Sequence, residues 1–182
     1  NLEDQTVRGM GTGEAVRVSK DGITTIIEPG ERRQRCSCLW VYYGYPSAAY
    51  DGINVEDCRY RCGAAIANRD VLEADYAAGI PDSGVGHAIG YSNAKGIPYK
   101  RPFVKYTPTW PRSFMPQNQT MRNLVAKMKL LPNEALAADS KIVFIDDSIV
   151  RGTQLTDNVV KLRECGVKEV HIRIVCPPLF YP

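Results

Sequence analysis

The chain has no apolar run approaching the roughly 18 residues that a membrane-spanning helix needs, and no leader pattern opens it. No membrane contact is expected, and a cytoplasmic location is the default. It lacks internal repeats and low-complexity tracts, which removes solenoids and disordered tails from consideration. Its net charge of +3 is too small to argue for nucleic acid. There are 2 histidines, His87 and His171, neither with a partner at useful spacing, so both read as structural. The 6 cysteines, at 36, 38, 58, 62, 165 and 176, do not form the paired C-x-x-C spacing of a zinc site. In a chain of this size and class they read as reduced thiols rather than disulfides. An initial Met is also missing, and 177–182 follow directly on an apolar run, so a piece of a longer protein is expected.

What is present suits one α/β domain. The 182 residues are 44% hydrophobic and 24% charged, ordinary for a globular chain with a sizeable core. Residues 1–13 carry three glycines and few apolar side chains, and read as a lead-in. Strands are expected at Ala15–Ser19 and 23–27, joined by the turn signal Lys20-Asp21-Gly22. The aromatic-rich Leu39–Tyr43 also reads as a strand. Asn54, with Asp57 three residues on, predicts a helix start. Its apolar face is expected to run through Val55, Cys58, Cys62, Ala65 and Ile66. A first parallel strand is expected over 74–80, then a small-residue helix over 85–95 stopped by Gly96. Phe103 and Val104 continue the strand pattern. A long loop at 106–118 and a helix at 119–130 follow. The pattern closes with a strand at 142–145, a helix at 153–165 ended by Gly166, and a strand at 170–175. Strands alternating with helices predict a parallel sheet.

The chemistry gathers at 141–154, KIVFIDDSIVRGTQ. Four apolar residues, Ile142 to Ile145, make a buried strand that ends on two carboxylates, Asp146 and Asp147. A short loop then feeds a helix. The N–H groups of such a turn and the helix dipole attract a phosphate. The acids suit sugar hydroxyls or a magnesium ion, since like charge keeps them off the phosphate itself. A second segment of the same kind, Ile80-Pro81-Asp82-Ser83-Gly84, lies where another strand meets a helix. Strand ends of an open parallel sheet line one crevice, where ligands bind. A third segment, KYTPTWPRSFM at 105–115, is cationic at Lys105 and Arg112.

DDSIVRGT in this setting resembles the phosphoribosyl-pyrophosphate loop of the type I phosphoribosyltransferases, in the form seen in the glutamine amidophosphoribosyltransferases. The resemblance covers nearly the whole chain from Val16 onward. It also takes in a PDS segment at Pro81-Asp82-Ser83, a lid matched at Lys105, Arg112, Ser113 and Phe114, and matches at Cys36, Tyr42, Pro46, Asp51, Gly52 and Val55. The fold it implies is the type I phosphoribosyltransferase fold, a mostly parallel sheet with flanking helices and a small hood or lid. Residues 1–30 would be a lead-in and hairpin at the junction from a glutaminase domain. Residues 31–182 would be a phosphoribosyltransferase domain cut at its C-terminus.

The implied roles follow residue by residue. Asp146, Asp147, Lys105 and Arg112 would be catalytic. Asp82, Ser83, Ser148, Ile149, Val150, Arg151, Gly152, Thr153 and Gln154 would bind substrate. Ser83, Asp146 and Asp147 would hold Mg²⁺. Cys36 matches an iron–sulfur ligand of one branch of the family, whose other ligands would lie beyond position 182. The implied reaction moves ammonia, released from glutamine in a separate domain, to C1 of phosphoribosyl pyrophosphate. It yields 5-phosphoribosylamine and pyrophosphate in de novo purine synthesis. The family also implies feedback nucleotides and a homo-oligomer for the intact protein. Departures are Gln154 where the family often has a second Thr, the lid interior over 106–111, and Asn1, which cannot serve as the glutaminase's N-terminal cysteine. A base phosphoribosyltransferase and a non-catalytic phosphoribosyl-pyrophosphate-binding module are the alternatives.

Overall fold

A computed structural model describes residues 9–105, 130–149 and 152–177, with Thr153 and Gln154 described by backbone alone. The expected loop at 106–118, the expected helix up to residue 129, and Arg112, Val150 and Arg151 lie outside the described residues. The chain divides into two compact units, Asn1–Cys36 and Ser37–Pro182. In the first, β1 (Ala15–Ser19) pairs antiparallel with β2 (Gly22–Ile27) across the turn at Lys20 and Asp21. Gly22 takes φ 126°, which only glycine adopts freely. A bridge between Thr12 and Gly30 closes the base of the hairpin.

The second unit is built on a three-stranded parallel sheet. Its strands are β5 (Tyr76–Gly79), β8 (Lys141–Asp146) and β9 (Glu169–Ile174), in the order β5–β8–β9. The central strand is buried on both faces, as a continuous apolar run in a parallel sheet must be. Alternation sorts its side chains. Ile142 and Phe144 join Tyr76, Ala78 and Phe103 in one core, and Val143 and Ile145 join Ala77, Ala88 and Tyr91 in the other. The register sets Gly79 beside Ile145 and Asp146 beside Ile174, so the strands end at one level.

Helices α1 (Val55–Ala67) and α2 (Gly84–Lys95) cover one face. Asn54 caps α1, its side-chain oxygen accepting from Asp57 N at 3.0 Å, as expected. The buried stripe of α1 is Val55, Arg59, Gly63 and Ala67. This corrects the expected face: Cys58, Cys62 and Ile66 are half-buried and Ala65 is exposed. The reason is backbone proximity. A Cβ on Gly63 would lie 1.9 Å from His87 O, and one on Gly90 would lie 2.1 Å from Tyr60 O. The helices meet at their glycines, and that contact rotates α1. Gly96, at φ 73°, ends α2 as expected.

The other face carries Leu162 of α4 (Thr153–Glu164) and Ala137 of the short α3 (Glu134–Ala137). Strands β6 (Phe103–Lys105) and β7 (Leu130–Pro132) form a separate antiparallel pair, so Leu130 ends in a strand and not in the expected helix. A further hairpin of β3 (Ala49–Tyr50) and β4 (Ile53–Asn54) turns on Asp51 and Gly52, both with positive φ. Such a turn is the two-residue type favoured by Asp-Gly.

Leu39–Tyr43 is not a strand. It is a π-helical turn in which Gly44 N donates to Leu39 O at 2.7 Å. A Cβ on Gly44 would meet Leu39 O at 2.3 Å, so glycine is what lets the turn close. No helix among the described residues is long and apolar enough to cross a membrane.

Candidate functional site

Because β5 and β8 are parallel neighbours, the loops that follow them open at the same sheet edge. The first loop, residues 80–83, is tied across to β8 by Ile80 N donating to Ile145 O at 3.1 Å. Small residues let it sit close. A Cβ on Gly84 would fall 2.5 Å from Ile145 O, and one on Gly79 would fall 2.6 Å from Gly84 O. The Pro81–Asp82 peptide is cis. Ser83 stands at the N-terminus of α2 without its side chain capping that helix. The second loop leaves β8 at Asp146 and Asp147. Beneath it the β9 ladder continues, with Val175 N on Asp146 O at 3.0 Å and Cys176 N on Asp147 O at 2.9 Å. Gly152, at φ 71°, turns the chain into α4.

The acid pair is under electrostatic stress. Asp147 is 4% exposed, and its Oδ2 is buried without a hydrogen-bond partner. Burial, the hydrogen bond with Asp147 and the charge of Asp147 push the Asp146 carboxyl up to about 8. Two carboxylates held together in a half-dry site with an orphaned oxygen form a place short of positive charge, and they fit a divalent cation. Among the described residues no group of three or more His, Cys, Asp or Glu is placed to hold a metal ion. A Mg²⁺ there would keep much of its water, as that ion normally does.

A cavity of about 1350 Å³ opens over this edge. It brings together Asp82, Ser83, Lys105, Asp146, Asp147 and Ser148, and reaches Ile149 and Gly152. These are the sequence-derived candidates for catalysis, substrate binding and Mg²⁺ whose side chains are described. Lys105 Nζ is in a close ion pair with Asp82 Oδ2, both partly exposed. In water such a pair contributes only about 0–1 kcal/mol, so an anionic ligand can draw Lys105 away at little cost.

Sequence reasoning missed three parts of the wall. One is the tyrosine-bearing segment that ends the π-turn and runs past it, including Tyr43 and Tyr45. Another is Arg59, and the third is Asn158 on α4, 8% exposed. Arg59 did carry a signal. It falls at i+4 from Val55 and four before Gly63, a charge on what proves to be the buried stripe.

No protein-family model matches the chain. The amidophosphoribosyltransferase of Bacillus subtilis (strain 168) is 35% identical over 177 residues, 97% of this chain and 37% of that protein. A solved structure described as the allosteric regulatory enzyme of purine biosynthesis superposes with a TM-score of 0.76 at 35% identity, over 93% of this chain and 37% of its own. The glutamine phosphoribosylpyrophosphate amidotransferase from B. subtilis, complexed with ADP and GMP, superposes with a TM-score of 0.75 at 35% identity, with the same coverage of 93% and 37%. The chain thus spans little more than a third of the length of the curated relatives it matches.

Proposed function

We propose that this chain, homologous to the amidophosphoribosyltransferases over about a third of their length and sharing their type I phosphoribosyltransferase fold, is the part that carries the phosphoribosyl transfer itself. The observation that supports this reading is the stressed acid pair at the end of the central strand. It shares one cavity with a loop that feeds a helix N-terminus and with the Asp82–Ser83 loop. Three kinds of contact point in one crevice match a ligand with a phosphate, a sugar diol and a pyrophosphate.

In this reading the backbone N–H groups from Ser148 to Gln154 and the positive end of α4 take the 5′-phosphate. Asp146 and Asp147 accept from the ribose hydroxyls and orient C1. Lys105 and Arg112 would offset the charge that gathers on the pyrophosphate as the C1–oxygen bond breaks. Asp146, Asp147 and Ser83 would hold Mg²⁺, which when bound supplies positive charge to the pyrophosphate oxygens. The nitrogen of ammonia bonds to C1, pyrophosphate leaves with the bonding pair, and one proton is released. No covalent enzyme intermediate is required. In the longer protein the ammonia would come from a glutaminase domain, and nucleotides would act as feedback ligands. An iron–sulfur cluster on Cys36 would need its other ligands from beyond position 182. Cys36 and Cys38, two residues apart, are both exposed free thiols.

The test is calorimetric titration with phosphoribosyl pyrophosphate, with and without Mg²⁺, followed by pyrophosphate release in ammonium buffer. Mg²⁺-dependent binding and ammonia-dependent release are expected. Release that needs a purine or pyrimidine base overturns the acceptor. Binding without turnover points to a non-catalytic module.

A further inference from the structure

The wall formed by the π-turn is held in an unusual way. Arg59 is 3% exposed and its guanidinium meets backbone carbonyls. Nε donates to Trp40 O at 3.0 Å, and Nη2 donates to Tyr42 O at 3.0 Å and to Gly44 O at 2.9 Å. The carbonyl between them, Val41 O, lies 3.0 Å from Nε2 of His87, which is fully buried. The other ring nitrogen of His87 lies 3.1 Å from Arg59 O. One side chain from α1 and one from α2 therefore collect four of the five carbonyls from Trp40 to Gly44. No carboxylate among the described residues pairs with Arg59.

Burying a guanidinium is costly unless its donors are satisfied, and an apolar residue would fill the same space without that cost. What the arrangement achieves is geometric. With the carbonyls drawn inward, the side chains face outward. Tyr42, Tyr43 and Tyr45 are 57%, 75% and 75% exposed, and all three line the cavity. Three accessible aromatic rings beside an acid pair and two polar loops are out of keeping with a purely anionic ligand. Aromatic faces suit the C–H face of a sugar ring.

We propose that Tyr42, Tyr43 and Tyr45 form a rim against the ribose of the ligand, and that Arg59 and His87 are positioning residues that hold the rim in place by gathering the carbonyls of the π-turn. The inference rests on the phosphoribosyl reading above. It adds that the cavity separates a phosphoribosyl ligand from bare pyrophosphate through this wall, while the acid pair and the residue 80–83 loop serve both ligands.

The experiment measures, by titration calorimetry in Mg²⁺, the affinities of the whole chain for phosphoribosyl pyrophosphate and for inorganic pyrophosphate. The variants are Arg59→Lys, His87→Gln and Tyr43→Ala combined with Tyr45→Ala. Arg59→Lys keeps the charge but its single ammonium cannot span three carbonyls, and affinity for the ribosyl ligand should fall about tenfold. His87→Gln keeps one donor and should cost about threefold. Affinity for pyrophosphate should stay within about twofold in every variant. The tyrosine variant changes exposed side chains, folds without the buried network being touched, and should reproduce the selective loss. A parallel loss of both affinities in the variants, the mark of a merely structural role, overturns the proposal. So does an unchanged affinity ratio in the tyrosine variant. If the parent chain binds pyrophosphate but not the ribosyl ligand, the phosphoribosyl reading falls first and this inference with it. If the parent binds both and the ratio does not move, this inference alone fails.

Discussion

Asp147→Asn should make the ligand-free protein more stable relative to the parent as pH rises, while removing its Mg²⁺-dependent ligand binding. The Asp146 carboxyl is pushed up to about 8 from the ordinary aspartate value of about 4, by burial first and by its hydrogen bond and charge contact with Asp147 next. The sign follows from linkage. Between those two values the folded chain holds a proton that the unfolded chain has lost, so stability falls as pH rises from about 4 to about 8 and is level above that. Each pK unit corresponds to about 1.4 kcal/mol, and the full span sets a ceiling of about 5–6 kcal/mol. Burial remains in the variant, so less than half of the ceiling is relieved, about 1–3 kcal/mol. For a chain of this length each kcal/mol moves the melting point by about 2–4 °C. The new amide carries its own cost at the orphaned Oδ2 position, but that cost does not vary with pH. The quantity to read is therefore the melting-point difference, variant minus parent, in EDTA at pH 5 and pH 8. It should grow by about 3–8 °C over that interval. A difference that is flat, or that shrinks toward pH 8, refutes the account of the pair as a mutually repelling site awaiting a cation.

Other expectations concern the frame around the site. Gly63→Ala places a Cβ 1.9 Å from His87 O; the helices must separate, and about 1–3 kcal/mol should be lost in denaturant titration despite alanine's better helix propensity. Gly84→Ala meets Ile145 O at 2.5 Å, and should weaken ligand binding through displacement of the 80–83 loop, seen as a raised Kd with secondary structure unchanged by circular dichroism. Asp70 accepts from Arg173 Nε at 2.6 Å and from Tyr91 OH at 2.8 Å, and the Arg173 hydrogen bond above all holds its carboxyl well below the usual range. A depressed acid contributes stability that is present above its unfolded pKa and lost as pH falls, so Asp70→Asn should cost about 2–4 kcal/mol at pH 7. The same variant should flatten the decline in melting point below about pH 4.

Much of the frame was legible from local signals. The Lys20-Asp21-Gly22 turn, the Asn54 cap and the stops at Gly96 and Gly166 all operate within a few residues, so their neighbours in sequence carry the information. The Asp51-Gly52 dipeptide was equally local and marks a hairpin that was overlooked. Leu39–Tyr43 misled because aromatic and β-branched side chains favour strands on average. Its actual shape is set by Arg59 and His87, which lie far along the chain and capture its carbonyls. The buried face of α1 misled for a related reason. A periodicity count rewards apolar side chains, whereas a close helix crossing selects the glycine that lets two backbones meet.

By itself the sequence singled out the candidates for phosphate, diol and cation chemistry, because DDSIVRGT and PDSG stand out through residue type and through their place between strand and helix. Tertiary structure alone decided that they meet. Parallel pairing of β5 with β8 puts both loops at one edge, and the contact of Gly84 with Ile145 brings them close. It also decided how hard the two acids press on each other, since the same dipeptide in open water would be two ordinary carboxylates. Desolvation and enforced proximity are properties of the packed edge and have no counterpart in the linear chain.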